Sequence, residues 1–425
     1  MSESLILENT VTAERAARPT FRAALRQRDF ALLWSGQSLS AVGNQMLPLA
    51  LAVLVLNRGE GALGLGFVLG VQALAIAIGT FVAAAVGDRW RRTRLMIAAD
   101  LMRFVAVVGL AINPLGIPQT ALILLVVLFG IGEGIFQPAF RAAVPRVLPP
   151  ELRQPGNGLN AFSTHLATVI GPGMAGALVA ATGPRIALWI DAVTFLFSFA
   201  TLVPIRETTP ALRAAVMPGV RGALRQIGAD LREGTAAVVD RPWIAATLGV
   251  VTAVMVLVTA PSLVALPVEA NARLGGADAY GMTLGAMGLG ALIGSLVGGR
   301  IRTRWVGIVA LSGAMCIAVS VAGLALLPLS GVLLTWAIGG AGVTLFNVLW
   351  VTAVQQDVPD HVLTRVMALN WLGIQALMPI GYALAGPAIE AMGARTILLA
   401  GFVLTLIITP MPLLVRGGAT FSSRS

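Results

Sequence analysis

The sequence predicts an all-α polytopic membrane protein with twelve transmembrane helices in two pseudo-symmetric six-helix bundles. Three observations predict it. The 425 residues are 57% hydrophobic and only 11% charged, against about 25% charged in an average soluble domain. Apolar runs of about 20 residues, the length of a bilayer-spanning helix, recur along the whole chain. Finally, features of the first half return in the second. Gly87-Asp88-Arg89-Trp90-Arg91-Arg92-Thr93-Arg94 has a degenerate echo in Gly298-Gly299-Arg300-Ile301-Arg302-Thr303-Arg304, at an offset of 211 from Gly87 to Gly298. Pro149 returns as Pro359, and Leu159-Asn160 as Leu369-Asn370, each at an offset of 210. An offset this long marks two copies of one large unit rather than a solenoid period.

In chain order, residues 1–28 are polar and then basic, with no apolar stretch after a short charged start. They read as a cytoplasmic N-terminal tail rather than a secretory signal. A first bundle over 29–204 holds spans near 29–57, 62–86, 95–114, 118–143, 159–182 and 185–204. Residues 205–241 are the longest internal polar segment and form a cytoplasmic linker. Val220, Leu224, Ile227 and Leu231 stand there at helical spacing with arginines between them. They predict an amphipathic helix on the inner leaflet, or else a tether with accidental periodicity. A second bundle over 242–415 holds spans near 242–267, 279–299, 305–327, 331–356, 364–389 and 394–415. Residues 416–425 form a cytoplasmic C-terminal tail.

Arginine placement orients the chain. There is no lysine, and 24 of the 29 arginines fall on the side of the N-terminus. Only Arg58, Arg185, Arg273 and Arg395 fall on the other side, and Arg103 is inside a span. This is a positive-inside pattern with both termini cytoplasmic. The net charge of +10 is therefore topological and faces lipid headgroups, not nucleic acid. The single cysteine, Cys316, excludes an intramolecular disulfide. No His, Cys and acid grouping has metal-ligand spacing, so neither a metal nor another cofactor is expected.

Two six-span halves and the turn at Ala84–Arg94 resemble the major facilitator superfamily, whose loop between spans 2 and 3 carries a glycine, then Asp-Arg, then Gly-Arg-Lys. Asp88, Arg89 and Arg92 match; Ala84, Arg91 and Thr93 depart. The resemblance implies a cavity between the halves and a cytoplasmic latch. In that latch the Asp88 carboxylate faces the N-terminus of span 11 near Thr364, where exposed N–H groups favour an anion. Arg89, Arg92, Asp100 and Arg103 are grouped with it. Asp100 and Arg103 share a helix face and pair with each other or with the turn.

Span 5 carries Gly171-Pro172 and Gly176, similar to the family's antiporter motif G-x-x-x-G-P-x-x-G-G with Ala167 and Ala175 in place of two glycines. Small residues allow close helix approach and proline bends the helix; ordinary packing explains the same residues. Gly386-Pro387 in span 11 is read as its counterpart. With Gln137-Pro138-Ala139, Asp191 to Leu196, Arg232-Glu233-Gly234 and Asp240-Arg241-Pro242-Trp243, the pattern resembles the twelve-span drug-efflux branch that includes macrolide efflux proteins and the enterobactin exporter.

The absence of a G-x-x-x-x-G-K-[ST] loop argues against ATP as direct fuel and towards the proton-motive force. Ionisable groups inside spans are then the coupling candidates, because an intramembrane charge is costly and calls for a reason. Glu133, in Gly130-Ile131-Gly132-Glu133-Gly134, leads; a structural hydrogen bond to a neighbouring helix is the rival role. Asp191 and His165 are further proton or substrate candidates, against which a structural or packing role is the favoured reading. Gln37, Asn44, Gln45, Gln137, Asn347, Asn370 and Gln375 are the amides expected at the cavity. Phe136, Phe346, Trp350 and Trp371 are candidates for its apolar wall or for lipid-facing packing. The resulting expectation is a monomeric exporter in a bacterial cytoplasmic membrane, exchanging an amphipathic small molecule for protons. An uptake carrier of the same fold, an integral-membrane enzyme and a non-transporting relative are the rivals. No G-x-S-x-G or H-E-x-x-H element supports the enzyme.

Overall fold

The structure is a computed structural model that describes residues 20–86, 90–205 and 232–422, without the side chains of Asp360, His361, Thr364, Ala368, Asn370, Trp371, Leu372, Ile374 and Gln375. The described residues are helical throughout, and no strand occurs among them. Thr20 caps a short helix, Phe21–Leu25, through Ala23 N–H (3.2 Å to Oγ1). The first half then runs through span 1 (Arg28–Asn57), span 2 (Gly61–Val86), span 3 (Arg92–Ile112), span 4 (Gln119–Val147), span 5 (Arg153–Thr182) and span 6 (Pro184–Leu202). The second half holds span 7 (Pro242–Leu274), span 8 (Ala277–Gly298), span 9 (Val306–Leu326), span 10 (Leu329–Asp357), span 11 (Asp360–Met392) and span 12 (Ala394–Ile408). The expected amphipathic stretch at Val220–Leu231 lies outside the described residues.

Several spans are longer than their apolar cores. Span 5 begins at Arg153, so Leu159-Asn160 lies inside the helix rather than opening it. Span 4 continues through Pro138 and Pro145 to Val147. Neighbouring helices and local backbone adjustment make interior prolines tolerable in such bundles. Span 1 changes course at Asn44-Gln45, and span 7 contains two wider π turns, Met255–Thr259 and Ala270–Leu274.

The repeat is legible in the backbone. Spans 5 and 6 meet at Gly183 (φ 76°), and spans 11 and 12 meet one repeat offset later at Gly393 (φ 82°). Both turns need the left-handed region that glycine enters without steric cost. Each half also packs one of its helices on the other half. Span 2 lies on span 11, and span 5 on span 8. At these crossings a Cβ on Gly66 would stand 2.6 Å from the Tyr382 carbonyl, and one on Gly176 would stand 2.8 Å from Gly281 Cα. Gly386, one repeat offset after Gly176, likewise has room for no Cβ against Ala62 and Leu63. The two crossings are thus one contact made twice. Both lie near the end that carries Arg58, Arg185, Arg273 and Arg395, the arginine-poor end, where they close the bundle.

This pairing corrects the counterpart assigned to the span 5 motif. Gly386 answers Gly176, not Gly171. The partner of Gly171 is Gly381: Gly171 abuts Gln45 of span 1, and Gly381 abuts Val256 of span 7, each at 2.6 Å from a hypothetical Cβ.

The C-terminal segment also departs from expectation. Its described part, up to Ser422, packs against the second half instead of trailing away. Phe421 is 2% exposed and stacks on Trp243 with centroids 5.0 Å apart, edge-on to Trp350 at 5.7 Å. The Ala419 carbonyl accepts from Gly307 and Ile308 N–H (3.0 and 3.2 Å), satisfying donors that the first turn of span 9 cannot pair internally. Trp243 is fixed in turn by donating to Asp357 Oδ2 at 3.2 Å. Phe421→Ala is expected to destabilise the protein by about 2 kcal/mol, the scale of burying one large apolar side chain. Thermal unfolding in detergent micelles checks this.

Candidate functional site

The polar centre of the first half is built from spans 3, 4 and 6. Asp100 and Arg103 are three apart on span 3, so their side chains emerge on one face. Both are fully buried, and Arg103 Nη2 donates to Asp100 Oδ1. The other prong of the guanidinium, Nη1, donates to Glu133 Oε2 on span 4 at 2.7 Å. Ser198 on span 6 donates to Asp100 Oδ2 at 2.7 Å. Aromatic faces enclose the cation, Phe136 at 4.0 Å and Phe195 at 4.5 Å from ring centroid to guanidinium carbon. Cation–π contact of this kind stabilises a charge that has lost its water.

Glu133 joins this buried centre to a cavity. Its Oε1 accepts from Gln137 Nε2 at 2.9 Å, one turn along the same helix. Glu133 and Gln137 line a space of about 520 Å³ between spans 1, 4 and 5. Gln37, Asn44, Gln45 and Pro48 form the span 1 wall, and Asn157, Asn160 and Thr164 the span 5 wall; Arg141 lies towards the arginine-rich end. Gln37 Oε1, Asn44 Oδ1 and Asn160 Oδ1 are buried acceptors with no donor among the described residues. These oxygens lie beneath the surface of the wall, which is lined by amides, a hydroxyl, Arg141 and one carboxylate.

Of the residues expected from the sequence, Glu133, Gln37, Asn44, Gln45 and Gln137 come together here. Asn347 is exposed on span 10 and is not part of this lining. The side chains of Asn370, Gln375 and Trp371 lie outside the described residues. Asp191 is fully buried against span 1, where a Cβ on Gly43 would meet its Oδ1 at 2.5 Å, and Thr194 Oγ1 lies 3.4 Å from that oxygen. His165 is exposed. It shares a span 5 face with Val169, Pro172 and Gly176, but lies nearer the arginine-rich end than their contact with span 8.

Two groupings change. Asp100 and Arg103, assigned to the latch, belong with Glu133, because Arg103 lies midway along span 3 and its long side chain reaches span 4. Arg92 is the first residue of span 3; Asp88 and Arg89 lie outside the described residues. Phe136, Phe346 and Trp350 do not wall this cavity. Phe136 is fully buried beneath Arg103, while Phe346 and Trp350 stack with each other, centroids 6.1 Å apart, in the aromatic cluster of the second half. Sequence reasoning misses Ser198 and the span 5 face. Both leave a sequence signal: Asp191, Thr194, Ser198 and Thr201 form a polar stripe at helical spacing on span 6, as do Asn157, Asn160 and Thr164 on span 5.

Comparison with known proteins agrees with this architecture. The chain is 26% identical to the multidrug efflux pump Tap of Mycolicibacterium fortuitum, covering 87% of this chain and 90% of that one. It is 25% identical to macrolide efflux protein A of Streptococcus pyogenes, covering 91% and 95%. It is 23% identical to the enterobactin exporter EntS of Shigella flexneri, covering 92% of each. Among solved structures, a POT family transporter in complex with a thioalcohol-conjugated peptide superposes with a TM-score of 0.70 at 13% identity, over 91% of this chain and 96% of that one. The nucleoside transporter NupG superposes with a TM-score of 0.68 at 10% identity, over 91% and 99%; at these identities the likeness is one of fold. The Major Facilitator Superfamily profile matches residues 33–382. A transporter's relatives, a doubled helical bundle and a profile match over most of its length establish that this chain belongs to the major facilitator superfamily and is a transporter, not an enzyme.

Proposed function

We propose that the protein is a secondary exporter of amphipathic small molecules, exchanging them for protons by alternating access. The observation that carries this reading is the position of Glu133. One oxygen faces the cavity through Gln137, and the other is bound to a buried arginine. A ligand or proton arriving at Glu133 changes what Arg103 is paired with, and so changes the packing of spans 3, 4 and 6. Substrate occupancy and helix arrangement are linked through a single carboxylate. Desolvation strengthens that link, since charges interact more strongly away from water.

The direction and class of cargo in this reading are supported by the relatives, whose names are those of multidrug, macrolide and enterobactin exporters. The arginine bias supports reading the arginine-rich end, and both termini, as cytoplasmic, with the protein in a bacterial cytoplasmic membrane. The closed crossings at the opposite end then describe a carrier shut towards the outside. A wall of amides beside one carboxylate suits a molecule with a polar or cationic group beside an apolar body.

Inverted membrane vesicles energised with an acid lumen test the reading. Dyes, macrolides and siderophores are added, and a compound of this class is expected to accumulate in the lumen and to leave when a protonophore is added. Accumulation only in right-side-out vesicles would make the protein an importer. Accumulation insensitive to the protonophore would remove proton exchange from the account.

A further inference from the structure

At the arginine-poor end, the two crossings that close the bundle differ in one respect. In the first turn of span 8 an acid serves its own half: Ala279 N–H donates to Asp278 Oδ1 at 2.8 Å. Span 2 has an acid just before its first residue, Glu60, but both its oxygens are engaged elsewhere. Oε1 accepts from Arg58 Nε at 2.6 Å, and Oε2 from Gln119 Nε2 at 3.2 Å. The start of span 2 is served instead from the opposite half. Leu63 N–H donates to Glu390 Oε1, on the last turns of span 11, at 3.1 Å. The same oxygen is 2.9 Å from where a Cβ on Gly61 would stand. The first N–H groups of a helix have no partner within it, and their summed dipole favours an anion. Beside this bond the backbones of spans 2 and 11 approach closely at Gly66 and Gly386.

We propose that Glu390 is a latch that holds the arginine-poor end shut by capping span 2 across the two halves. The repeat supports a dedicated role. Ala180 occupies the position one repeat offset before Glu390, so the sister crossing of spans 5 and 8 has no such acid. Opening the arginine-poor end breaks the Glu390 bond and exposes the start of span 2 to water. The proposal rests on the alternating-access reading but not on any particular cargo.

A spin-label distance measurement tests it. Ala181→Cys and Ala272→Cys, both at exposed positions in opposite halves at this end, are labelled in a Cys316→Ala background, in lipid nanodiscs. Glu390→Ala is expected to raise the long-distance, open population about two- to five-fold, the scale of one carboxylate at a helix N-terminus. Glu390→Lys, which sets a cation against the same N-terminus, is expected to raise it further. Asp278→Ala, which removes a bond made within one half, is expected to leave the distribution unchanged. Unchanged distances in both Glu390 variants, or an equal shift in Asp278→Ala, would overturn the latch. The readout needs no transported compound. A shift in distances without accumulation of any compound supports the latch while the export reading fails. Accumulation with unshifted distances does the reverse.

Discussion

Arg103→Ala is expected to destabilise the folded protein by on the order of 3–5 kcal/mol, the scale for removing one partner of a buried ion pair. The reason is what it leaves behind. Asp100 is fully buried, the Glu133 side chain is 19% exposed where it lines the cavity, and each takes one prong of the guanidinium. Without Arg103, Asp100 retains only the Ser198 hydroxyl and Glu133 only the Gln137 amide. Phe136 and Phe195 lose the group that fills the space between them. Arg103→Lys is expected to recover part of the loss, because an ammonium keeps the charge but cannot reproduce a planar fork serving two carboxylates. The triple variant Asp100→Asn, Arg103→Ala, Glu133→Gln is expected to be more stable than Arg103→Ala alone, since neither Asp100 nor Glu133 is then left as a carboxylate without its cation. Thermal unfolding in detergent ranks the four proteins. An Arg103→Ala protein as stable as wild type would mean that the charges are solvated and the centre is not a closed network.

Most of the fold was legible because bilayer crossing imposes length and apolarity on each helix separately. The span limits read from composition lie within a few residues of the helices, apart from the start of span 5 and the far end of span 7, where polar but helical turns extend beyond the apolar run, and span 12, whose helix ends at Ile408 before a short turn at Met411–Leu414. Glu133 stood out for the same reason, as a carboxylate inside a glycine-flanked apolar helix. Its partner was not legible. Arg103 belongs to a different helix, and only packing of spans 3 and 4 brings the two together. The repeat was visible as an offset, but assigning Gly386 to the Gly-Pro pair ignored that offset; the crossing geometry restores it. Phe421 follows a Gly-rich, polar stretch that reads as a free tail. Its binding place is made by Trp243 and Trp350, which are far apart in the chain. Glu390 carries no signal in the sequence, because its acceptor role depends on span 2, in the opposite half of the chain.

Glu133→Gln carries the second large effect, and it falls on coupling rather than on stability. Glutamine keeps the size of the side chain and hydrogen-bonding capacity towards Gln137 and Arg103, but it cannot take up or release a proton. Gradient-driven accumulation of a transported compound is expected to fall at least about tenfold, in line with the roughly 10²–10⁴-fold contributions of positioned proton-transfer groups. Downhill exchange of the compound across the membrane is expected to persist. Gln137→Ala is expected to give a smaller loss, because it removes one bond to Glu133 and leaves the carboxyl in place.

The direct measurement is lumenal pH in acid-loaded inverted vesicles when a transported compound is added. The account predicts that wild type releases protons from the lumen in proportion to compound uptake, and that Glu133→Gln releases none while still exchanging the compound. Proton release that continues undiminished in Glu133→Gln would contradict it, and coupling would have to be assigned to another group.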